Sequence, residues 1–182
     1  WWDWSEKCWR LFTCRESDPH ATPRVVMFDH HGRRLWGAVA HGHMDMGWIA
    51  QTRTPDGHDR PLAYALRIGA KTCGPDGRTH QQREVFTFDA RTAAPMEPAA
   101  DWYRTLPVDL DGDGYHELVR GMPGGDGAIF AADGKLLGRI EGEGVALAAH
   151  VRAMPGEQVL SYHADGRVQL WSDRAAQPSR RA

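Results

Sequence analysis

Acidic side chains occupy alternate positions at the start of residues 109–117, and this spacing suits the binding of a hard cation. Gly114 permits the backbone to reverse direction, so that later oxygen atoms can face the same centre. Oxygen-only ligands of this kind favour Ca²⁺. The predicted ligands are the carboxylates of the loop and one backbone carbonyl: Asp109, Asp111, Asp113, Tyr115 (carbonyl) and Glu117.

The alternative for this loop is a turn rich in Asp and Gly that binds no ion. Four acidic groups packed so closely would repel each other without a cation, which favours the metal site. A helix–loop–helix calcium hand would place a bidentate Glu at the twelfth position, which here is Arg120. The flanks, Leu-Pro-Val before and Glu-Leu-Val after, are instead typical of strands. We therefore expect a calcium loop between two strands.

A second group of residues that can perform chemistry runs His-Gly-His-Met-Asp at positions 41–45. In an extended chain His41, His43 and Asp45 lie on one face, where they supply a titrating base, a second imidazole and a carboxylate. These residues, alone or with a remote His, could also bind zinc. Two structural alternatives compete: a degenerate calcium-loop turn with hydrogen-bonded histidines, and a buried row filled by Met44 and Met46.

The composition argues against some classes of partner. The 182 residues carry a formal net charge of −2, so we expect neither nucleic acid nor an anionic membrane as a partner. No apolar run approaches the roughly 18 residues that a membrane span needs. One domain is expected at this length. Because the sequence starts at Trp1 and shows no leader, we expect a processed product or a fragment.

The three cysteines allow one small disulfide. Cys8 and Cys14 are close enough in sequence to close a short loop in an oxidising compartment, which would leave Cys73 alone. A zinc site at the cysteines is disfavoured because no Cys-x-x-Cys pair exists.

The elements expected to position all these residues are β-hairpins. A pattern of strand, Asp-containing turn and strand recurs four times. The copies span residues 26–36, 85–94, 129–137 and 160–171. Further strands are expected at residues 9–14, 48–50, 62–68, 118–120 and 145–151. Two polar segments, 52–60 and 71–82, are expected to be insertions. No segment has a convincing helical period, so we predict an all-β array of small sheets, followed by a disordered tail at 175–182.

A strand, then Asp-x-Asp-Gly-Asp-Gly-x-x-Glu-Leu-Val, and a Phe-Asp-x-x-Gly-x-x-Leu-Trp hairpin together resemble the calcium-loop β-propellers of the FG-GAP/VCBS class. Within that class the chain is most similar to the propeller polysaccharide lyases, the rhamnogalacturonan and ulvan lyases. The resemblance covers residues 24–174. It implies a β-propeller of small antiparallel sheets over residues 1–174, with about four blades present. Since a closed propeller of this type needs more blades, we expect remaining blades elsewhere to cover the sheet edges.

The resemblance also implies a secreted or periplasmic polysaccharide lyase that cleaves an acidic, uronate-containing glycan by β-elimination. A cation or an Arg neutralises the uronate carboxylate, a base removes the adjacent proton, and an acid protonates the leaving oxygen. Arg67 shares a strand face with small residues, which would leave room for a sugar. The predicted roles are His41 or His43 as base, Arg67 as neutralising group, Tyr64 or Tyr103 as acid, and Trp48 and Trp102 as sugar-stacking rings.

The alternative function is a non-catalytic, calcium-binding propeller module that binds carbohydrate or a protein partner. Stacking aromatic rings and polar groups suffice for such a module, whereas a lyase needs a base and a cation in one pocket. In either case we expect the calcium ion to be structural and to stabilise the fold by mass action.

Overall fold

The computed structural model describes residues 1–16, 20–54, 56–77, 79–121 and 126–178. Within these ranges the chain forms four small antiparallel β-sheets and contains no helix. The predicted all-β class is therefore confirmed. The described part of the chain accordingly offers no helix with the length and apolarity that a membrane crossing requires.

Fourteen strands are present in the described ranges. In chain order they are β1 (Trp2–Asp3), β2 (Cys8–Cys14), β3 (Val25–Asp29), β4 (Arg34–Ala38), β5 (Met44–Ala50), β6 (Leu62–Cys73), β7 (Thr79–Asp89), β8 (Thr105–Val108), β9 (Glu117–Arg120), β10 (Ala128–Phe130), β11 (Leu136–Arg139), β12 (Gly144–Ala149), β13 (Gln158–Tyr162) and β14 (Val168–Trp171). The chain divides into two compact units: Trp1–Ile49 with Pro61–Glu97, and Ala50–Arg60 with Pro98–Ala182.

The first unit contains a four-stranded sheet in the order β1-β2-β3-β4 and a three-stranded sheet in the order β5-β6-β7. The apolar run Val25-Val26-Met27 of β3 is fully buried, as are the central residues of β6. One core cluster joins Met27 with Ala63 and Phe88, and another joins Val25 with Met44 and Ala65. Strands buried on both faces explain why these segments read as continuous apolar runs.

The second unit contains a four-stranded sheet in the order β11-β10-β9-β8 and a three-stranded sheet in the order β12-β13-β14. Its core cluster is four valines, Val108, Val119, Val145 and Val159. β-Branched side chains are stiff and pack well on pleated surfaces, so they suit these positions. This core adjoins the acidic loop, because Val108 immediately precedes the first residue of the loop.

The recurring hairpins form at three of the four predicted places, as β3–β4, β10–β11 and β13–β14. In each hairpin an Asp of the turn accepts backbone hydrogen bonds. The Oδ1 of Asp29, the first residue of its turn, accepts from the amides of His31 and Arg33. Asp133 and Asp165, which directly precede a turn glycine, accept from the amides of Lys135 and Arg167. At the fourth place the turn follows Asp89, but the returning segment makes only an isolated bridge at Pro95.

Two predictions about local structure are wrong. Residues 71–82 are not wholly an insertion, because β6 continues to Cys73 and β7 begins at Thr79, which gives one long hairpin. Cys8 and Cys14 are both free and lie at the two ends of β2. An extended strand rises about 3.3 Å per residue, so about 20 Å separates them and no disulfide can join them.

The segment predicted to be a disordered tail is described as far as residue 178. There the amide of Gln177 donates a hydrogen bond of 2.8 Å to the carbonyl of Asp111. Residues 179–182 lie outside the described residues, so the prediction for that end of the tail stays a prediction.

Candidate metal centre

The acidic loop connects β8 to β9, two antiparallel strands whose register pairs Val108 with Glu117. The strands that were predicted to flank the loop are therefore confirmed. The valine core holds both ends of the loop in place, while residues 109–116 are left free to fold around their own carboxylates. The loop thus has a fixed base and a polar interior.

The carboxylates of Asp109, Asp111 and Asp113 converge. Each offers an oxygen atom, and these three atoms lie within 4.8 Å of one another. Two oxygens bound to one Ca²⁺ at 2.3–2.6 Å can be no more than about 5 Å apart, so the three Asp are spaced to share one ion.

Backbone amides of the loop hold these carboxylates in place. The amide of Gly114 donates to Oδ2 of Asp109 (3.1 Å), and the amide of Asp113 donates to Oδ1 of Asp111 (3.0 Å). The amide of Tyr115 donates to Oδ1 of Asp113 (2.8 Å). The Oδ1 of Asp109 is buried and has no hydrogen-bond partner among the described residues. A buried carboxylate oxygen without a donor fits a site that a cation would complete.

Two glycines give the loop its curvature. Gly112 and Gly114 have φ values of +77° and +85°, in the left-handed region that L side chains rarely adopt. A Cβ at position 112 would also lie 2.0 Å from the carbonyl oxygen of Gln177. The two glycines of the Asp-Gly-Asp-Gly pattern are therefore required by backbone conformation and, at Gly112, also by a close neighbour.

The electrostatic state of the loop also favours a cation. Burial raises the pKa of Asp109 to about 6, and the charges of Asp113 and Asp111 add to that effect. Burial and the same two charges raise the pKa of Glu117 to about 8. Both shifts mean that the negative form is poorly compensated by the protein. A bound divalent cation would supply the missing positive charge.

The two other predicted ligands are placed less directly. Among the described residues, the converging group contains the three Asp and does not include Glu117. The Oε2 of Glu117 accepts a hydrogen bond from the amide of Leu110 (3.0 Å), so this carboxylate links the two ends of the loop. The hydroxyl of Tyr115 donates to Asp59 (2.6 Å). The ligand roles of Glu117 and of the Tyr115 carbonyl stay predictions.

Sequence reasoning missed two residues that contact the loop from elsewhere in the chain. The guanidinium of Arg53 pairs with Asp113 and lies over the ring of Tyr115, 4.2 Å from its centroid. The carboxylate of Glu157 accepts from the amide of Asp109 (2.9 Å). Neither Arg53 nor Glu157 lies in a motif, because each is brought to the loop by the fold alone. Within the loop itself, the Nδ1 of His116 accepts from the amide of Gln51 (2.7 Å).

The row at positions 41–45 does not have the predicted geometry. Gly42 has a φ of +106° and β5 begins only at Met44, so the chain turns between His41 and His43. The prediction that the row is extended is therefore wrong. The ring of His43 is half exposed, with Nε2 3.3 Å from Glu16 and 3.6 Å from Asp45. Within the described residues, these side chains do not form a group with metal-site spacing.

Arg67, the predicted neutralising group, is already paired. Its guanidinium donates to the carbonyl of His41 and to the carboxylate of Glu84, and it lies 5.4 Å from the ring centroid of Phe86. Gly42 is needed at this crossing, since a Cβ there would lie 2.1 Å from Cδ of Arg67. The charge of Arg67 is thus largely used within the protein.

The predicted sugar-contacting rings are inside the protein. Trp48 and Tyr64 stack on each other at 4.7 Å with an interplanar angle of 11°, and both are buried. Ala63 and Ala65, the small residues on the strand face of Arg67 that were expected to leave room for a sugar, are fully buried core residues. Trp102 is 1 % exposed. These placements count against a stacking role for Trp48 and Trp102 and an acid role for Tyr64.

The other acid candidate differs in its placement. Tyr103 is only partly buried, and the guanidinium of Arg104 lies 5.0 Å from its ring centroid.

The fold and the site together define an all-β chain of small antiparallel sheets with a converging cluster of three Asp. Comparison with protein-family models, with curated proteins and with solved structures found no match to the chain. The relation to calcium-loop propellers therefore stays a prediction that depends on the sequence motif and on the geometry of the loop.

Proposed function

We propose that this chain is a calcium-binding β-sheet module whose second unit is stabilised by one Ca²⁺ ion in the loop 109–117. The observation that carries the proposal is the convergence of Asp109, Asp111 and Asp113 within 4.8 Å, with one buried oxygen of Asp109 lacking a donor. The ion would neutralise carboxylates that otherwise repel each other, and its binding energy would add to the stability of the folded state.

Calcium is the favoured ion because of the type and the arrangement of the donors. All candidate ligands are oxygen atoms, which soft transition metals do not prefer. A loop that places carboxylates at alternate positions adapts to the six to eight ligands of Ca²⁺ more readily than to the strict octahedron of Mg²⁺. Calcium modules outside cells bind the ion at about 10⁻⁴–10⁻³ M. A secreted or periplasmic location is proposed for that reason.

The propeller architecture is proposed together with this function. Every sheet keeps its strands in sequential order, which is the connectivity of an up-and-down propeller blade. Four sheets of three or four strands would be about four blades. The remaining blades of the proposed propeller would be supplied by other parts of the protein or by a partner.

The function proposed for such a module is binding, of an acidic polysaccharide or of a protein partner, without catalysis. The support is the state of the candidate lyase residues: Tyr64 and Trp48 are buried, and Arg67 is paired with Glu84. A group buried in the core cannot reach a sugar without local unfolding, and a paired Arg has lost much of its capacity to neutralise a uronate.

A polysaccharide lyase is the second candidate, and one observation favours it. The half-exposed ring of His43 lies beside the carboxylates of Glu16 and Asp45, which is an arrangement that can orient an imidazole as a base. The test is to incubate the chain with acidic polysaccharides and to follow the ultraviolet absorbance of the unsaturated uronate product. A signal that His43→Ala abolishes would establish the lyase, and a flat trace in calcium would rule out catalysis by this chain.

The test of the main proposal is calcium titration by calorimetry after chelation. One site per chain, lost in Asp111→Asn, is the expected result. A wild-type chain that binds no calcium at about 10 mM, ten times the weaker limit for extracellular modules, would refute the proposal.

A further inference from the structure

The turn between β12 and β13, residues 150–157, reaches the acidic loop from far along the chain. The amide of Asp109 donates to Oε2 of Glu157 (2.9 Å) across 48 positions. The amide of Glu157 donates back to the carbonyl of Asp109 (2.6 Å). This reciprocal pair fixes the backbone on both sides of the Asp109 side chain. Asp109 is also the residue whose buried oxygen lacks a donor among the described residues.

The contact between the turn and the loop is close. Gly156 has a φ of +68°, and a Cβ there would lie 2.2 Å from the carbonyl oxygen of Leu110. Only glycine allows the two backbones to approach in this way. The Gly-Glu dipeptide at 156–157 therefore pairs a close backbone approach with an acceptor for the amide of Asp109.

Gln158 holds this dipeptide in position. Its side chain is fully buried, and its Oε1 accepts from the amides of Val151 (2.9 Å) and Arg152 (2.8 Å). Its Nε2 donates to the carbonyl of Gly156 (2.8 Å). One buried amide thus satisfies three backbone groups of the turn. A buried polar group with these bonds gives the turn a single conformation.

We propose that Glu157 is a positioning residue of the calcium site, which places Asp109 through the reciprocal pair, and that Gln158 fixes Glu157. This inference rests on the proposed function, since the ion belongs to that proposal. The positioning role of Glu157 depends on the length of its side chain and on its acceptor oxygen, both of which can be separated from its charge by substitution. Groups that orient metal ligands without binding the metal themselves typically change metal affinity about 10–100-fold when they are altered.

Two substitutions separate geometry from charge. Glu157→Gln keeps the length and an acceptor oxygen but removes the charge, whereas Glu157→Asp keeps the charge and shortens the reach. Calcium titrations are made in about 1 M KCl, where the Debye length is about 3 Å and the contribution of the charge is reduced. We expect Glu157→Asp to weaken calcium binding about tenfold or more, and Glu157→Gln to stay within about threefold of wild type. The reverse order, or wild-type affinity in Glu157→Asp, would overturn the proposal.

A measurement without calcium tests the contact between Glu157 and Asp109 separately from the binding of calcium. Hydrogen exchange of the Asp109 amide in the chelated protein should accelerate in Glu157→Asp and stay slow in Glu157→Gln. If wild type binds no calcium but the three proteins show this pattern of exchange, the proposed function fails and the contact between Glu157 and Asp109 is supported. Equal exchange in all three proteins overturns the positioning role. Gln158→Met, which keeps the volume without the amide, should also accelerate this exchange, and unchanged exchange would remove Gln158 from the proposal.

Discussion

Substitution of Asp111 by Asn should change the stability of the chain in opposite directions with and without calcium. Asn keeps the Oδ1 that accepts from the amide of Asp113, so the shape of the loop is preserved. It removes one of the charges that raise the pKa values of Asp109 and Glu117. The substitution thus relieves repulsion in the free loop and removes a ligand from the occupied one.

The size of the effect in calcium follows from mass action. An ion at 100 times its Kd raises the free energy of unfolding by about 2.7 kcal/mol. For a chain of this length about 1 kcal/mol corresponds to 2–4 °C in Tm, so calcium should raise the wild-type Tm by roughly 5–11 °C. Asp111→Asn should lose most of that rise. In chelator two like charges about 4 Å apart in water cost about 1 kcal/mol, so the variant should melt up to about 4 °C above wild type.

The assay is differential scanning calorimetry of wild type and Asp111→Asn, each in about 10 mM calcium and in excess chelator. Asp165→Asn is the matched control, because Asp165 is an exposed turn residue of the second unit outside the acidic loop. The control should show the same calcium shift as wild type. An equal calcium shift in Asp111→Asn would show that Asp111 is not a calcium ligand. A variant less stable than wild type in chelator would show that its charge does not destabilise the free loop.

Three further results are expected. The pKa of Glu117 is raised from its ordinary 4.5 to about 8, so without calcium its contribution to stability should be lost as the pH rises between those values. Denaturant melts in calcium should lack this loss, and an equal fall of the free energy of unfolding with pH in both conditions would contradict it. Gly112→Ala should lower the Tm more than Gly32→Ala does. Both glycines have a positive φ, but of the two only position 112 has a neighbour 2.0 Å from the new Cβ, so equal losses would contradict the close contact. Asp3→Ala should lower the free energy of unfolding by about 3–5 kcal/mol in urea melts, because this buried carboxylate pairs with two arginines in the first unit. The loss should be the same with and without calcium, and a calcium-dependent loss would be inconsistent with that placement.

Most of the fold was predictable because the strands are short and their turns carry strong local signals. An Asp followed by Gly between apolar runs specifies a hairpin, as at Asp165 and Gly166. The hairpin of β6 and β7 was underestimated because its outer part is polar, and polarity reports exposure rather than backbone conformation. The expectation that small residues on one face of β6 leave room for a sugar was wrong, since Tyr64 and Ala65 are buried on opposite faces of the same strand.

The candidate site was predictable only where it is local. Asp109, Asp111 and Asp113 are close in sequence and converge, as their spacing predicted. Glu157 and Arg53 could not be predicted, because their contacts with the loop span 48 and 60 positions and depend on the packing of other strands. The spacing of the histidines and Asp in residues 41–45 likewise does not predict a site unless the backbone conformation is known, since one glycine can turn the chain.

The most direct test of the calcium site is a crystal structure of the chain grown in calcium, with anomalous scattering used to locate the ion. We predict one calcium peak within 2.3–2.6 Å of oxygens from Asp109, Asp111 and Asp113. A structure in which these three carboxylates diverge, or in which Arg53 and water satisfy them at about 10 mM calcium, would contradict the proposed site.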